Sequence, residues 1–582
     1  MKKWKILLFF ILMFALIFTP IITQSIGESY AENVNRVEVS NHVDREKDYK
    51  EVKELRSANS KTFLKPDGKS YVLEQYIEPV HFKKNGKWIE IDNNLKRVKT
   101  KSNNKLNKSF KNKNSDSIKT AFKNKANQFQ VNFAESTDVQ SIVSFGYKDV
   151  EIDFQLVDGK KVFAELDRNK VTYPNIYPNT DLVYHVSNTG LKEEWVLHEY
   201  NGKNIYSMKL DLQSATPLEG EDGSIKIKDK HSKDIIVLPK PLMVDSNDSA
   251  SYDINMELRT DGGNTYLDLV ADAKWLSDPE RKFPIRIDPT VELQDISTTY
   301  DTFIGNKNKD TNYQPFSYLI TGNIDDYGVT RTFIEFELPK FPDGTIVNRA
   351  RLSLNQYKTE EMEQVDLFPV TSSWYSGTLT WNNQPSVGNR TASSYVSGPG
   401  EYSWDMTDIV KNWIKGDVEN NGISLRHHNE SNNRKSYRSS DYVIDETKRP
   451  KLEIEYKVIP EEEKLSGTDP LNKGCTKDAI IANRSNIYND DTNKKMGELQ
   501  LRYSPKCKTA WGRVVPVNNT DAGTLIVKVV RNDGEYLEAM ANPTFSTLWT
   551  FQINDQDYTS YAEAAFYDYD GKKIGSAKTS SY

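Results

Sequence analysis

The chain of 582 residues has two cysteines, Cys475 and Cys507, and seven histidines. The histidines are His42, His81, His185, His198, His231, His427 and His428, and no H-E-x-x-H pair or other close metal-binding spacing occurs among them. His427 and His428 are adjacent, so on a strand they point to opposite faces and do not chelate one ion together. No G-x-S-x-G, Walker loop or G-x-G-x-x-G appears. Carboxylates are plentiful, but no pair is singled out to flank a glycosidic bond. The reading is therefore that the chain is not an enzyme.

Long apolar runs are also scarce. One stands at the start, Ile6 to Phe18, behind the basic Lys2, Lys3 and Lys5, with Ser29-Tyr30-Ala31 offering a small-x-small cleavage pattern. A run this short with these flanks reads as a secretory signal over 1–31 rather than a membrane span. No second run follows, no cysteine stands near the signal to take a lipid, and the final GSAKTSSY offers neither apolar anchor nor basic tail. The expected product is secreted, extracellular or wall-associated, with no transmembrane anchor. In an oxidising compartment Cys475 and Cys507 are expected to pair, and that bridge removes the thiol that Cys-His catalysis needs. The formal net charge, −6, is mild for this length and argues against nucleic acid as a partner.

Helical patterns are few, and alternating strands between Gly, Asn and Asp turns dominate. Residues 32–60 are charged and aperiodic and read as a disordered leader. From 61 to 291 the pattern is β-rich. Pro66-Asp67-Gly68 and Asn85-Gly86 mark hairpin turns. A basic insert over 96–125 carries eleven lysines and arginines against Asp116. A disordered solvated loop accounts for it, and contact with an anionic wall polymer or membrane surface is the functional alternative.

The clearest strands lie between 292 and 458. Thr332, Ile334, Phe336 and Leu338 share one face, opposite Arg331, Glu335 and Glu337. Ala350, Leu352 and Leu354, then Ile423 and Leu425, then Leu452, Ile454 and Tyr456 alternate with polar residues in the same way. One-sided strands of this kind build antiparallel sheets with one wet face. One short helix interrupts them, with Thr407 as its cap, Ile409, Val410, Trp413 and Ile414 as its stripe and Gly416 as its end. Residues 459–474 read as a linker, and 475–582 as a small C-terminal β domain pinned by the disulfide. The fold class expected is thus mostly β and multi-domain, around a central antiparallel β-sandwich.

Candidate binding residues are cationic. Arg331 and Arg426 stand on wet strand faces. Arg434, Lys435 and Arg438 fall in the polar stretch RHHNESNNRKSYR, which reads as a loop. Guanidinium forks there suit carboxylates or sulfates on a polysaccharide, and a solvated loop accounts for the same residues. Acidic turns such as Asn323-Ile324-Asp325-Asp326 supply oxygens for Ca²⁺, but ordinary turn chemistry explains them equally. No cofactor is expected, and the oligomeric state is left open.

The middle segment resembles the DNRLRE family, a secreted domain related to modules that recognise acidic polysaccharides such as alginate. The carrying runs are Tyr300 to Ile304, RTFIEFELP from Arg331, Ala350 to Leu354, SSWYSGTLTWNNQPS from Ser372, YSWDMTDIVKNWIKG, NGISLR and RPKLEIEY. The resemblance implies a jelly-roll-like sandwich with a binding role. It also implies core positions for Trp374, Trp381, Trp404 and Trp413, with Trp381 sharing a strand face with Leu379. The preceding segment resembles the N-terminal region of wall-associated RHS-repeat proteins, on GKWIEIDNNL, VTYPNIYPNTDLVYHV, LKEEW and KWLSDPERKFPIRIDPTV. That resemblance implies a surface or secreted setting. The last domain is similar to the 2690 family of unknown function, on CTKDA and ELQLRYSPKCKTAW, which places both cysteines in its pattern. Together these imply a wall-associated protein that binds acidic polysaccharide through the sandwich. The alternatives are a surface protein in which the sandwich spaces the last domain, or an exported polysaccharide-degrading enzyme.

Overall fold

Strand alternation and turn chemistry shape almost everything in the computed structural model, which describes residues 49–98, 120–213, 215–294, 301–430, 433–459, 464–517, 522–542 and 546–582. The expected signal peptide, the leader up to residue 48 and the middle of the basic insert lie outside these residues. From Glu51 on, the chain forms one unit that is mostly β, with a few short helices. Three larger hydrophobic cores organise it.

The first core lies between an eight-stranded and an eleven-stranded antiparallel sheet built from residues 92–293. Val131, Phe133, Val143, Phe145, Ile152 and Phe154 face inward from one, and Val171, Tyr173, Tyr184 and Trp195 from the other. Trp195 is fully buried and stacks on Tyr177 with ring centroids 5.8 Å apart. The described ends of the basic insert are not loop. Lys96 pairs with Lys123 and Arg97 with Phe122, between the strands Asp92–Arg97 and Thr120–Ala126.

The second core is that of the sandwich. One path of hydrogen-bonded strands runs through Ser70–Tyr76, Lys451–Val458, Thr345–Gln356, Arg434–Arg438 and Tyr318–Ile324. It continues into Gly328–Ile334, Ile423–His427, Glu363–Pro369 and Ala392–Val396. The path folds back on itself. Leu73, Leu352, Tyr437 and Ile454 from its first half share one core with Ile334, Leu367, Val396 and Leu425 from its second. Gly322 sits near the corner at φ +116°, where a Cβ would lie 1.9 Å from the Asn433 carbonyl oxygen, so only glycine fits. Trp404 is buried here, its indole N–H donating 2.9 Å to the Val365 carbonyl. The helix Thr407–Lys415 lays Ile409 and Val410 on this core and ends at Gly416, φ +77°. Thr407 begins the helix rather than capping it, and its hydroxyl instead accepts from the Ala350 N–H at 3.0 Å.

Three boundaries differ from expectation. The hairpin Ser60–Leu64 and Ser70–Tyr76, turned at Pro66-Asp67-Gly68, belongs to the sandwich, because Leu73 pairs with Ile454 and Gln75 with Leu452. Tyr71 stacks on Tyr456 at 5.3 Å. Residues 51–60, expected to be loose, carry a turn at Lys53–Leu55, and Ala58 accepts from the N–H groups of Val80 and His81. The expected linker is part of the last domain from residue 464: Gly467 donates to the Gln552 carbonyl at 2.8 Å, and Thr468 and Gln552 form a bridge.

That domain packs a five-stranded sheet, centred on Lys495–Ser504 and Thr509–Pro516, against a four-stranded one centred on Thr524–Arg531 and Ser560–Tyr567. Cys475 and Cys507 are joined, with Cα atoms 5.8 Å apart. Among the described residues no helix is long and apolar enough to cross a membrane.

Candidate functional site

Alternation sends Ile334, Leu425 and Leu367 into the sandwich core and so turns Arg331, Arg426 and Asp366 outward. Register aligns them. Ile304 faces Arg331, Arg331 faces Arg426, Arg426 faces Asp366, and Asp366 faces Ser393, a single row across five strands. The next row along the strands adds Gln364 and Tyr395, a pair in which Tyr395 is 57 % exposed. His428, whose N–H donates to the Gln364 carbonyl, stands beside them.

The segment 372–386 closes one side of this face. Sequence resemblance places Trp381 on a strand; here the segment is a loop with one 3-10 turn at Ser376–Thr378. It folds over the outer face because Ile304 and Phe333 there are apolar and need cover. Leu379, Trp374, Trp381 and Val387 supply it as a small satellite core. Asn312 holds the loop by donating to the carbonyls of Ser376 and Leu379, and the Trp374 N–H donates 2.9 Å to the Asn421 carbonyl. Trp374 and Trp381 are thus half-buried under the loop and outside the main core, which takes Trp404 and one side of Trp413.

Arg331 reaches into the angle between loop and sheet. Its guanidinium lies 4.6 Å from the Trp381 ring centroid, donates 2.7 Å to Glu430 and 2.8 Å to the Gln384 side-chain carbonyl. Arg426 is less well served. It is half-buried, 5.3 Å over the Phe368 ring, with a 3.3 Å bond to the Ser424 hydroxyl. Among the described residues it makes no ion pair. Burial, with the neighbouring Arg331 charge, pulls its pKa down to about 10 against the opposing pull of Glu430, so at neutral pH it stays a cation that Glu430, itself bonded to Arg331, compensates only in part. Asp366, its cross-strand neighbour, is committed elsewhere. Burial alone would raise its pKa, but the Ser393 hydroxyl at 2.6 Å, His428 Nδ1 at 2.7 Å and the Gln364 amide at 2.8 Å hold it below the usual range. Arg390 lies 3.5 Å from the same carboxylate. The face can therefore accept an anion at Arg426 and offers hydroxyls, an amide and aromatic surface around it.

The other three cations stand elsewhere. Arg434, Lys435 and Arg438 belong to a strand inside the sheet, Arg434–Arg438, which pairs with Tyr318–Ile324. Lys435 is fully buried, its ammonium donating 2.8 Å to the Arg434 carbonyl, and burial lowers its pKa. Arg434 is taken by Glu360 at 3.0 Å. Arg438 is clamped between Tyr357 and Tyr442 at 3.8 and 4.0 Å. The expected loop site is replaced by packing. Sequence reasoning missed Asp366, His428, Arg390 and Glu430; a period-2 count from Val365 and Leu367 already turns Gln364 and Asp366 to the outer face. At the acidic turn, Asp326 accepts from the Ser249 hydroxyl at 2.7 Å. Among the described residues no group of three or more His, Cys, Asp or Glu side chains gathers to hold a metal ion.

Residues 292–456, which include this face, match the model of carbohydrate-binding module family 96, and 464–563 match a protein family of unknown function, DUF2690. The tRNA nuclease WapA of Bacillus subtilis (strain 168) is 28 % identical over 441 residues, 70 % of this chain and 18 % of that protein. The tRNA3(Ser)-specific nuclease WapA of Bacillus spizizenii matches over the same shares at the same identity. The chain thus spans about a fifth of the length of these relatives. Of solved structures, the glycoside hydrolase domain of Endo-D from Streptococcus pneumoniae R6 aligns at 11 % identity with a TM-score of 0.13, over 50 % of this chain and 39 % of that one, too slight to carry an argument. The expectation that the chain is not an enzyme is overturned by relatives named as nucleases over most of its length, and the exclusion of nucleic acid as a partner is left without support. A wall-associated protein of Geobacillus stearothermophilus is 30 % identical over 208 residues, 34 % of this chain and 75 % of that protein, and the chain belongs to the family of that wall-associated protein.

Proposed function

We propose that the protein is secreted to the cell wall and binds an acidic polysaccharide on the outer face of its central sandwich, with Arg426 and Arg331 as the anion-binding residues. The observation that carries this is Arg426, a half-buried guanidinium with no ion-pair partner among the described residues, set beside a second guanidinium within the segment that matches carbohydrate-binding module family 96. A ligand carboxylate there gains a charge-assisted bond in a partly desolvated place. Trp381, held under Arg331, and the exposed Tyr395 give flat apolar surface for sugar rings. Arg434, Lys435 and Arg438 take no part in the proposal, since their charges are used inside the fold. The test is calorimetric titration of the full chain with an oligouronate and with teichoic acid at low and moderate salt. Arg426→Gln and Arg331→Gln should each weaken binding about tenfold or more, and binding should fall as salt rises. Equal affinity of both variants and the wild type would reject the site.

A second reading, action on tRNA, is favoured by the names of the relatives. Its check is incubation of the purified chain with tRNA, read as cleavage products on a denaturing gel.

A further inference from the structure

The outer face of the eight-stranded sheet carries a second polar hollow, far in sequence from the sandwich. Strands Val150–Leu156 and Ile205–Gln213 pair so that Asp153 faces Asp211 and Gln155 faces Lys209. The alternate residues Ile152, Phe154, Met208 and Leu210 fill the core, which turns these four polar side chains to the opposite side. A cleft of about 360 Å³ lies over them. Its walls are the Gln140-Ser141 segment, the stretch around Ala215 and Pro217, and the turn Gly263-Asn264-Thr265. That turn is tight, with Gly262 and Gly263 at φ +54° and +79°, and it brings Asn264 to the rim of the hollow, while Thr265 pairs with the core residue Leu210 and shares its face. Asp153 is 2 % exposed and lies at the floor.

The volume falls in the range of about 300–1,000 Å³ typical of small-molecule sites and admits a sugar ring. The lining is chemically one-sided. Asp211 and the buried Asp153 face each other and Lys209 is the one cation in the lining, so the cleft carries no excess of positive charge to draw an anionic polymer. Three carboxamides (Gln140, Gln155 and Asn264) supply paired donors and acceptors, and the Ser141 hydroxyl adds to them. A ligand that satisfies this set is uncharged and dense in hydroxyl groups. We propose that this cleft is a second saccharide site, selective for a neutral sugar, so that one chain carries an anion-tolerant face and a cleft with no draw for anions.

The test is calorimetric titration of the full chain with cellotetraose and N-acetylchitotetraose as neutral probes, tetragalacturonate as anionic probe and spermine as cationic probe. Heat with one of the neutral probes is expected, and the Gln155→Ala/Asn264→Ala double variant should weaken it at least tenfold. If that variant melts early, Asn264→Ala alone, at the rim of the cleft, takes its place with the same requirement. No heat with either neutral probe, undiminished neutral binding in the variant, or binding of spermine alone would overturn the proposal. The sandwich site is read with a different, anionic probe, so failure of one assignment leaves the other standing.

Discussion

Glu193 gives the sharpest test of the energetics. It lies on Gly190–Leu197, and a count of two along that strand puts it between Leu191 and Trp195 on the core side. It is 6 % exposed. Its cross-strand neighbour is Tyr184, and the Trp195 N–H donates to it at 2.9 Å. Burial raises its pKa from 4.5 to about 7; the polar contacts with Tyr184 and Trp195 offset only part of that. The folded state therefore holds this proton more tightly than the unfolded chain. Its contribution to stability is full below about pH 4.5, is lost as pH rises toward 7, and stays lost above. At ~1.36 kcal/mol per tenfold change, the loss between pH 5 and pH 8 is ~2.5 kcal/mol. Glu193→Gln removes it: the amide oxygen still accepts from Trp195, and the amide N–H₂ finds the Tyr184 hydroxyl. Thermal melts of wild type and Glu193→Gln at pH 5, 6, 7 and 8 would read this directly. The variant should match the wild type within ~1 kcal/mol at pH 5 and melt ~5–10 °C higher at pH 8, from ~2–4 °C per kcal/mol for a fold of this size. The difference between the two proteins cancels the other buried carboxylates, which titrate in both. A gap independent of pH, or one that closes as pH rises, would refute the reasoning.

Three further outcomes follow from the packing. Trp404→Ala, which empties a fully buried site and orphans the Val365 carbonyl, should cost ~3–5 kcal/mol, read as an early transition in calorimetry. Replacing Cys475 and Cys507 by serine opens a loop spanning 32 positions and should destabilise the last domain by ~3–4 kcal/mol in the chain-entropy model; limited proteolysis would show new cuts after 464. Lys435→Met should fold with unchanged or slightly higher stability, because a buried cation is replaced by an apolar side chain while Glu360 keeps Arg434. Polysaccharide binding should persist in it, and loss of binding with an unchanged melt would restore Lys435 as a ligand contact.

Much of the β architecture was legible because many of the strands alternate between a buried and a more open side. The periods through Ala350 to Leu354, Ile423 to Leu425 and Leu452 to Tyr456 all place the stated residues in one core, and Asn85-Gly86 turns its hairpin with both residues at positive φ. Pairing between distant segments was not legible. The hairpin at Pro66-Asp67-Gly68 announces itself, but nothing local says that Ser70–Tyr76 will add to Lys451–Val458, nearly four hundred residues on; that choice is made by Tyr71 on Tyr456 and Leu73 on Ile454.

The candidate site failed in the sequence for a related reason. A run of Arg, Lys and Ser looks solvated when read alone, and period 2 does not separate a wet side of Arg434–Arg438 from a dry one, because both of its faces are covered. Lys435 and Tyr437 fall on the side of the main core, while Arg434 and Arg438 meet Glu360 and two tyrosines on the other side. Charge in the sequence counts cations and is blind to their partners. Of five cations chosen by type, three have their charge or surface committed inside the fold: Arg434 to Glu360, Lys435 to the interior and Arg438 to its tyrosine clamp; Arg331 shares its charge with Glu430 but stays on the outer face beside Arg426. Arg426 alone combines partial burial, a cationic neighbour across the ladder and no carboxylate of its own among the described residues. What marks a binding residue here is an imbalance that only the assembled sheet creates, since Arg331 and Arg426 stand ninety-five positions apart until register brings them side by side.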